Sequence, residues 1–348
     1  MSEKKFIATI LILFVTLSIS VVSFNFWMDP LWHYGHAHDY NDVQNVIDER
    51  EQKIVQLKYR EKDYDTLLVG SSRSTYIHPS AFEKWKVFNF SVANLSMREY
   101  HSYILYAQSQ NKHIERVILG VDFFKSSEQE AAASRSLLNY EVKIEQPFYR
   151  TKNLLSLQAF KYSIKNFMLS KNNEISEDRL YNRHGEAFAR KLTENEVDSV
   201  LSEKIERFEE EFYGKHYSYY PLYKEIMEKV KGTMPDGQIT VFTTPISTEL
   251  FKSLVETGLY DDYEVWLRDL VDVYGGVWNF MYPNTITNDI HNYYDGHHFY
   301  PEIGSMIANR MEEGEQSDAP ADFGVFVTND NIEQHLREVR ELISKFDQ

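Results

Sequence analysis

The chain has 348 residues, room for a large core in one big domain or one domain with additions, and its 43% apolar and 26% charged residues are ordinary for a globular protein. A formal net charge of −16 leaves no basic stripe to neutralise phosphates and argues against nucleic acid as a partner, while the lack of any cysteine excludes disulfides and thiolate metal sites. The 24 Tyr and 22 Phe suit sugar-binding platforms, although core packing is the commoner use of such residues.

In chain order, Lys4 and Lys5 precede an uncharged run from Phe6 to Phe26, whose most apolar part, Phe6 to Val22, is near the lower length limit for a spanning helix. Two lysines before the run predict the N-terminus inside and the remainder outside the cytoplasm. Trp27 reads as an interface anchor. The small-residue pair Ser18-Ile19-Ser20 lies inside the apolar run rather than after it, so residues 1–27 are read as an uncleaved anchor and not as a signal peptide. Residues 28–64 form a lead-in. Asp29-Pro30 breaks the helix, Trp32 and Tyr34 suit a membrane surface, and Val43, Val46, Ile47, Ile54, Val55 and Leu57 give residues 39–62 a loosely helical pattern. That pattern predicts an amphipathic helix resting on the globular domain.

From Asp65 onward strands and helices alternate. Thr66–Val69, Lys86–Phe90 and Arg116–Val121 read as strands and Leu95–Gln110 as a helix. Apolar runs alternating with helices imply a parallel sheet covered on both faces. Residues 125–232, roughly, break the rhythm with helical, charged and aromatic stretches at Asn153–Leu169, Glu194–Tyr213 and Tyr217–Val230, and read as a large helical insertion. The alternation resumes with a strand at Gln238–Thr243, a helix over Thr248–Tyr274, a strand at Val277–Met281 and a closing helix over 301–313. Residues 313–348 read as a linker and a charged helix, Asn331–Phe346, with no functional reading. No internal repeat is present.

The first strand ends in Gly70-Ser71-Ser72-Arg73-Ser74. Such an ending delivers a hydroxyl to the carboxyl edge of the sheet, where open α/β folds bind ligands; serines that merely cap the next turn are the bland alternative. Just before the closing helix stands Asp295-Gly296-His297-His298. The i, i+3 spacing of Asp295 and His298 lets a carboxylate fix the imidazole tautomer, and a strand-end serine then completes a triad in the order Ser, Asp, His. A rival reading uses Asp289, His291, Asp295, His297 and His298 as ligands for zinc or manganese, but five candidates in ten residues cannot all converge. Histidines hydrogen-bonded in a surface loop are the structural alternative.

Together, Leu67-Leu68-Val69-Gly70-Ser71-Ser72-Arg73-Ser74 and Asp295-Gly296-His297-His298 resemble the SGNH/GDSL hydrolase superfamily, nearest its membrane-anchored, exported branch, which includes proteins of alginate O-acetylation and teichoic-acid D-alanylation. The resemblance covers about residues 65–312, interrupted by the insertion. It implies a flavodoxin-like three-layer α/β/α sandwich with a parallel sheet, Ser72 as nucleophile, His298 as base and then acid, Asp295 as its orienting partner, and no cofactor or metal. The second family block falls on Phe88–Asn94, where the Ala93 N–H and the Asn94 amide would face the oxyanion without the usual glycine. The third falls on Gly120-Val121-Asp122-Phe123, with a carboxylate where the family has Asn. Asp122 would repel an oxyanion unless protonated or turned away. Arg73 and Asp122 are expected on the substrate side of the site; for Asp122 the alternative is a structural role, pointing into the sheet edge and capping a loop, which Phe123 and Phe124 just after it favour for geometry. The implied function is an O-acyltransferase or esterase acting on a cell-surface polysaccharide through an acyl-serine; the alternative is a degenerate relative serving as a glycan-binding or polysaccharide-assembly factor. Its partners would be an acylated glycan, membrane lipid through the N-terminal helix, and a membrane-bound acyltransferase.

Overall fold

The computed structural model describes residues 2–60, 63–175 and 179–346. The end of the expected lead-in helix, three residues of the insertion and the last two of the chain lie outside the described residues. The chain divides into two compact units, Met1–Glu61 with Leu138–Gly185, and Lys62–Leu137 with Glu186–Gln348. The stretch expected as one helical insertion is therefore shared between them.

The larger unit is a mixed α/β structure around six strands: β1 (Thr66–Val69), β2 (Val87–Asn89), β3 (Arg116–Val121), β4 (Gln238–Thr243), β5 (Gly276–Asn279) and β6 (Val325–Thr328). Their order is β2-β1-β3-β4-β5-β6. The first five run parallel and β6 pairs antiparallel with β5. All four residues of β1 and five of the six in β3 are buried, as uninterrupted apolar strands in a parallel sheet require. In register, Leu67 lies beside Phe88 and Val117, and Val69 beside Leu119, so the carboxyl ends of β1 and β3 reach the same edge.

Two differences from the sequence expectation stand out in this unit. The helix expected over Thr248–Tyr274 is two, Thr248–Glu256 and Tyr260–Tyr274, separated at Gly258, whose φ of +83° a glycine adopts without strain. The segment expected as a linker contributes β6, with Val327 buried and Phe326 facing solvent. The helix after it, Ile332–Ile343, buries Ile332, His335, Leu336 and Val339. A buried polar knot ties it to the sheet. Asn279 Oδ1 accepts from Thr243 Oγ1 at 2.7 Å, and Asn279 Nδ2 donates to Tyr263 OH at 2.9 Å and to His335 Nε2 at 2.8 Å.

The smaller unit begins with the helix Glu3–Met28, which by length and composition can cross a membrane. Asp29 ends it with φ +47°, its carboxylate accepting the N–H groups of His33, Tyr34 and Gly35 and pairing with Arg183 Nη2 at 2.8 Å. Trp32, expected at a membrane surface, is instead buried with its ring 5.5 Å from that of Tyr181. The lead-in helix spans Glu49–Tyr59 and is not amphipathic: every residue from Glu49 to Leu57 is buried. It can be so because its charges are answered, Glu49 by Arg179 at 3.3 Å, Glu51 by Lys143 at 2.5 Å, and Lys53 by the Gly185 carbonyl at 3.1 Å. The helix expected over Asn153–Leu169 is two, Tyr149–Leu154 and Leu157–Asn172, the second capped by Ser156, which accepts the Ala159 N–H.

Candidate active site

Beyond β1 the chain bends at Gly70 into a short 3₁₀ turn, Arg73–Tyr76, with Ser72 at its N-cap position. The three serines here have separate fates. Ser74 Oγ is wedged between strands: a Cβ on Gly70 would stand 2.2 Å from it and one on Gly120 2.3 Å, so both positions need glycine. Ser71 is buried and accepts the Arg73 N–H at 3.4 Å. Ser72 keeps partial solvent access, and its Oγ lies 3.0 Å from His298 Nε2.

The imidazole comes from the tip of a tight hairpin. Tyr293 pairs with Phe299, the Tyr294 N–H donates to the His298 carbonyl at 2.8 Å and the Tyr300 N–H to the Asn292 carbonyl at 3.0 Å. Gly296, with φ +74°, makes the bend, and a side chain there would also collide with Leu201. Asp295 Oδ1 accepts the N–H groups of His297 at 3.0 Å and His298 at 2.7 Å, and His298 Nδ1 lies 2.9 Å from Oδ2 and 3.2 Å from Oδ1. The ionised carboxylate only accepts, so Nδ1 carries the proton and Nε2 presents its lone pair to Ser72. After Pro301 the helix Pro301–Glu313 packs on the 3₁₀ turn so closely that a Cβ at Gly304 would stand 2.4 Å from the Tyr76 carbonyl oxygen.

A fourth residue joins this group that sequence reading missed. Lys204 Nζ lies 2.7 Å from Asp295 Oδ2. Burial alone would raise the Asp295 pKa; the facing His298 and Lys204 outweigh it and hold the carboxyl below the usual range. Lys204 belongs to the helix Glu194–Glu211, where Val197, Leu201, Lys204 and Phe208 share one face. A lysine on the apolar stripe of an otherwise acidic helix was the available signal. His297, one of the metal candidates, is packed with its ring 5.4 Å from Phe124 and 4.9 Å from Phe208. Burial, with Arg73 and His298 adding to it, pushes its pKa well below the ordinary value.

The other metal candidates spread apart: Asp289 accepts the His291 N–H, and the exposed His291 faces Glu194 at 3.7 Å. Among the described residues no three His, Asp or Glu side chains gather as a metal-binding group. Arg73 and Asp122, expected beside the substrate, are buried and bound to each other. Arg73 Nη2 lies 2.7 Å from Asp122 Oδ1, with side-chain exposures of 1% and 0%, and Thr244 Oγ1 donates to the same oxygen at 2.6 Å. A buried carboxylate needs such a cation. Asn94, at φ +54°, accepts from Lys125 Nζ through its side-chain oxygen, and Lys125 also pairs with Glu130. Ala93 shares that turn, which is held to the end of β1 by the Val92 N–H donating to the Gly70 carbonyl at 3.2 Å. The Ser72 N–H donates to no oxygen among the described residues.

The assembled group has the parts for acyl transfer: an accessible hydroxyl, a base aligned on it and a buried carboxylate behind the base. No known family model and no curated protein matches this sequence.

Proposed function

We propose that the protein is a membrane-anchored SGNH-like acyl-ester enzyme, exported so that its α/β unit lies outside the cytoplasm, and acting on an acylated cell-surface polysaccharide as esterase or O-acyltransferase. The observation that carries this reading is the unbroken chain Ser72 Oγ, His298 Nε2, His298 Nδ1 and Asp295, with links of 3.0 and 2.9 Å. Ser72 Oγ attacks the ester carbonyl while His298 Nε2 takes its proton. The oxyanion forms beside the Ser72 N–H and the Ala93–Asn94 turn. His298 then returns the proton to the departing sugar oxygen as the C–O bond breaks, leaving an acyl-serine. Water or a second sugar hydroxyl, deprotonated by His298, attacks that acyl group and frees Ser72. The strand order β2-β1-β3-β4-β5 is that of doubly wound flavodoxin-like sheets, which supports the three-layer reading, and such sheets bind ligands at the carboxyl edge where Ser72 stands.

A fluorophosphonate probe applied to the full chain tests the proposal. The wild type is expected to label; Ser72→Ala and His298→Ala are expected to lose the label, and Ser71→Ala to keep it. Labelling that survives in His298→Ala would show that no triad operates. The alternative, a glycan-binding assembly factor, draws on one observation, the Arg73-bound carboxylate of Asp122 where the family places an oxyanion donor. Binding of an acetylated oligosaccharide without probe labelling or turnover would favour it.

A further inference from the structure

Residues 146–173 contain Arg150, Lys152, Lys161, Lys165 and Lys171 and no Asp or Glu, in a chain whose net charge is −16. The same stretch leaves large apolar side chains in solvent: Phe148 is 78% exposed, Leu157 76%, and Leu155, Ile164 and Met168 are exposed as well. On the helix Leu157–Asn172, at 3.6 residues per turn, Leu157, Ile164 and Met168 fall within about 20° of one line, with Lys161 and Lys171 each about 40° to either side. The opposite face is spent. Ala159, Ser163 and Asn166 are buried, Ser163 Oγ donates to Asn25 Oδ1 at 2.9 Å, and Asn166 Nδ2 donates to Gln44 Oε1 at 2.8 Å.

Asn25 lies in the last turn of the helix Glu3–Met28. Phe160 and Phe167 pack on Phe24 at 5.8 and 6.2 Å, and Phe167 lies 6.2 Å from Trp27. The helix 157–172 is thus fixed at the level where an aromatic belt marks the membrane–water boundary, if the helix Glu3–Met28 spans. An apolar stripe flanked by lysines, with no acidic residue, is the composition of a helix lying in an anionic interface.

Resting on that spanning reading, we propose that residues 148–171 form a second membrane contact, lying in the headgroup layer of an anionic bilayer beside the anchor. Leu157, Ile164 and Met168 enter the acyl boundary while Lys161, Lys165 and Lys171 meet lipid phosphates. Charge complementarity and continuity with the anchor identify lipid as the occupant of this face.

The chain has no cysteine, so an introduced thiol is unique. Full-length Ile164→Cys, carrying an environment-sensitive fluorophore, is reconstituted in phosphatidylcholine bilayers with and without phosphatidylglycerol. In the anionic bilayers we expect blue-shifted emission and quenching by a lipid-borne nitroxide, while the same probe at Glu341→Cys stays in water. Each lysine near an anionic surface strengthens attachment by roughly fivefold, so Lys161→Glu with Lys165→Glu and Lys171→Glu should abolish most of the quenching. A probe at residue 164 that stays in water while one at Leu13→Cys is quenched overturns the proposal and leaves the anchor standing. A Leu13→Cys probe in water overturns the anchor and the proposal with it. Equal quenching in both lipids, unchanged by the charge reversals, overturns the assignment to an anionic surface.

Discussion

At the scale of single residues, the Lys204–Asp295 pair makes the clearest demand. Lys204 shares the carboxylate oxygen that His298 Nδ1 faces. Lys204→Met removes one of the two groups that outweigh the burial of Asp295 and hold its carboxyl low, and is therefore expected to weaken Ser72 labelling. Labelling equal to that of the wild type would show that Lys204 does not hold the carboxylate. Asp122 carries a second expectation. Asp122→Asn leaves the Arg73 guanidinium buried with no counter-ion, which typically costs about 3–5 kcal/mol. Thermal unfolding should show that loss, and probe labelling of the adjacent Ser72 should fall; a rise in esterase rate would mean that residue 122 faces the oxyanion after all. Ser72, Asp295 and His298 were legible because each belongs to a short local pattern, a strand-end hydroxyl cluster and an i, i+3 carboxylate–imidazole pair. Arg73 with Asp122, and Lys204 with Asp295, were not, because each pair is made by folding across a wide gap in sequence and nothing local to either partner announces the other.

At the scale of elements, the last helix is held through a titratable group. His335 accepts from Asn279, and Asn279 is fixed in that orientation because its oxygen accepts a hydrogen bond from the Thr243 hydroxyl. Burial, only partly offset by Glu338, lowers the His335 pKa from 6.5 to about 4. A pKa depressed in the folded state means that the unfolded chain binds the proton more readily. The contribution is complete above about 6.5 and is lost as the pH falls towards about 4, on the order of 3 kcal/mol in all. His335→Gln should flatten the fall in melting temperature between about pH 7 and about pH 4.5; an unchanged slope would place the acid sensitivity elsewhere. The closing helix makes a steric demand instead. Gly304→Ala must displace the Tyr76 carbonyl, and overpacking of this kind costs about 1–3 kcal/mol. We expect weaker Ser72 labelling beyond what the melting temperature explains, since Ser72 caps the displaced turn. The long apolar strands were readable from periodicity. The strand β6 was not: four residues set among turn-forming ones look like linker, and their antiparallel partner lies far back in the chain. The lead-in helix misled for a different reason, since burial of its charged face is decided by cations elsewhere in its unit.

At the scale of the whole molecule, the proposed export has the lysine pair before the apolar helix on the inside and the C-terminus outside. A reporter active only in the cytoplasm, fused after residue 348, should be silent, and strong signal would remove the cell-surface substrate from consideration. The division into two units was hidden from the sequence, because the first of them is built from two segments separated by a large part of the other's sheet.

The hydrogen bond between Ser72 and His298 joins residues 226 positions apart. On the proposed reading that separation sets an order on the chemistry. The strand that ends at Ser72 leaves the ribosome long before the hairpin that bears His298, and a contact so distant in sequence forms only after the loop between has been ordered. Until residue 298 has emerged and the hairpin has docked, no imidazole faces the Ser72 hydroxyl. If Ser72 is the nucleophile proposed above, a chain still being synthesised carries no activated serine, and acyl chemistry begins only once the hairpin has docked.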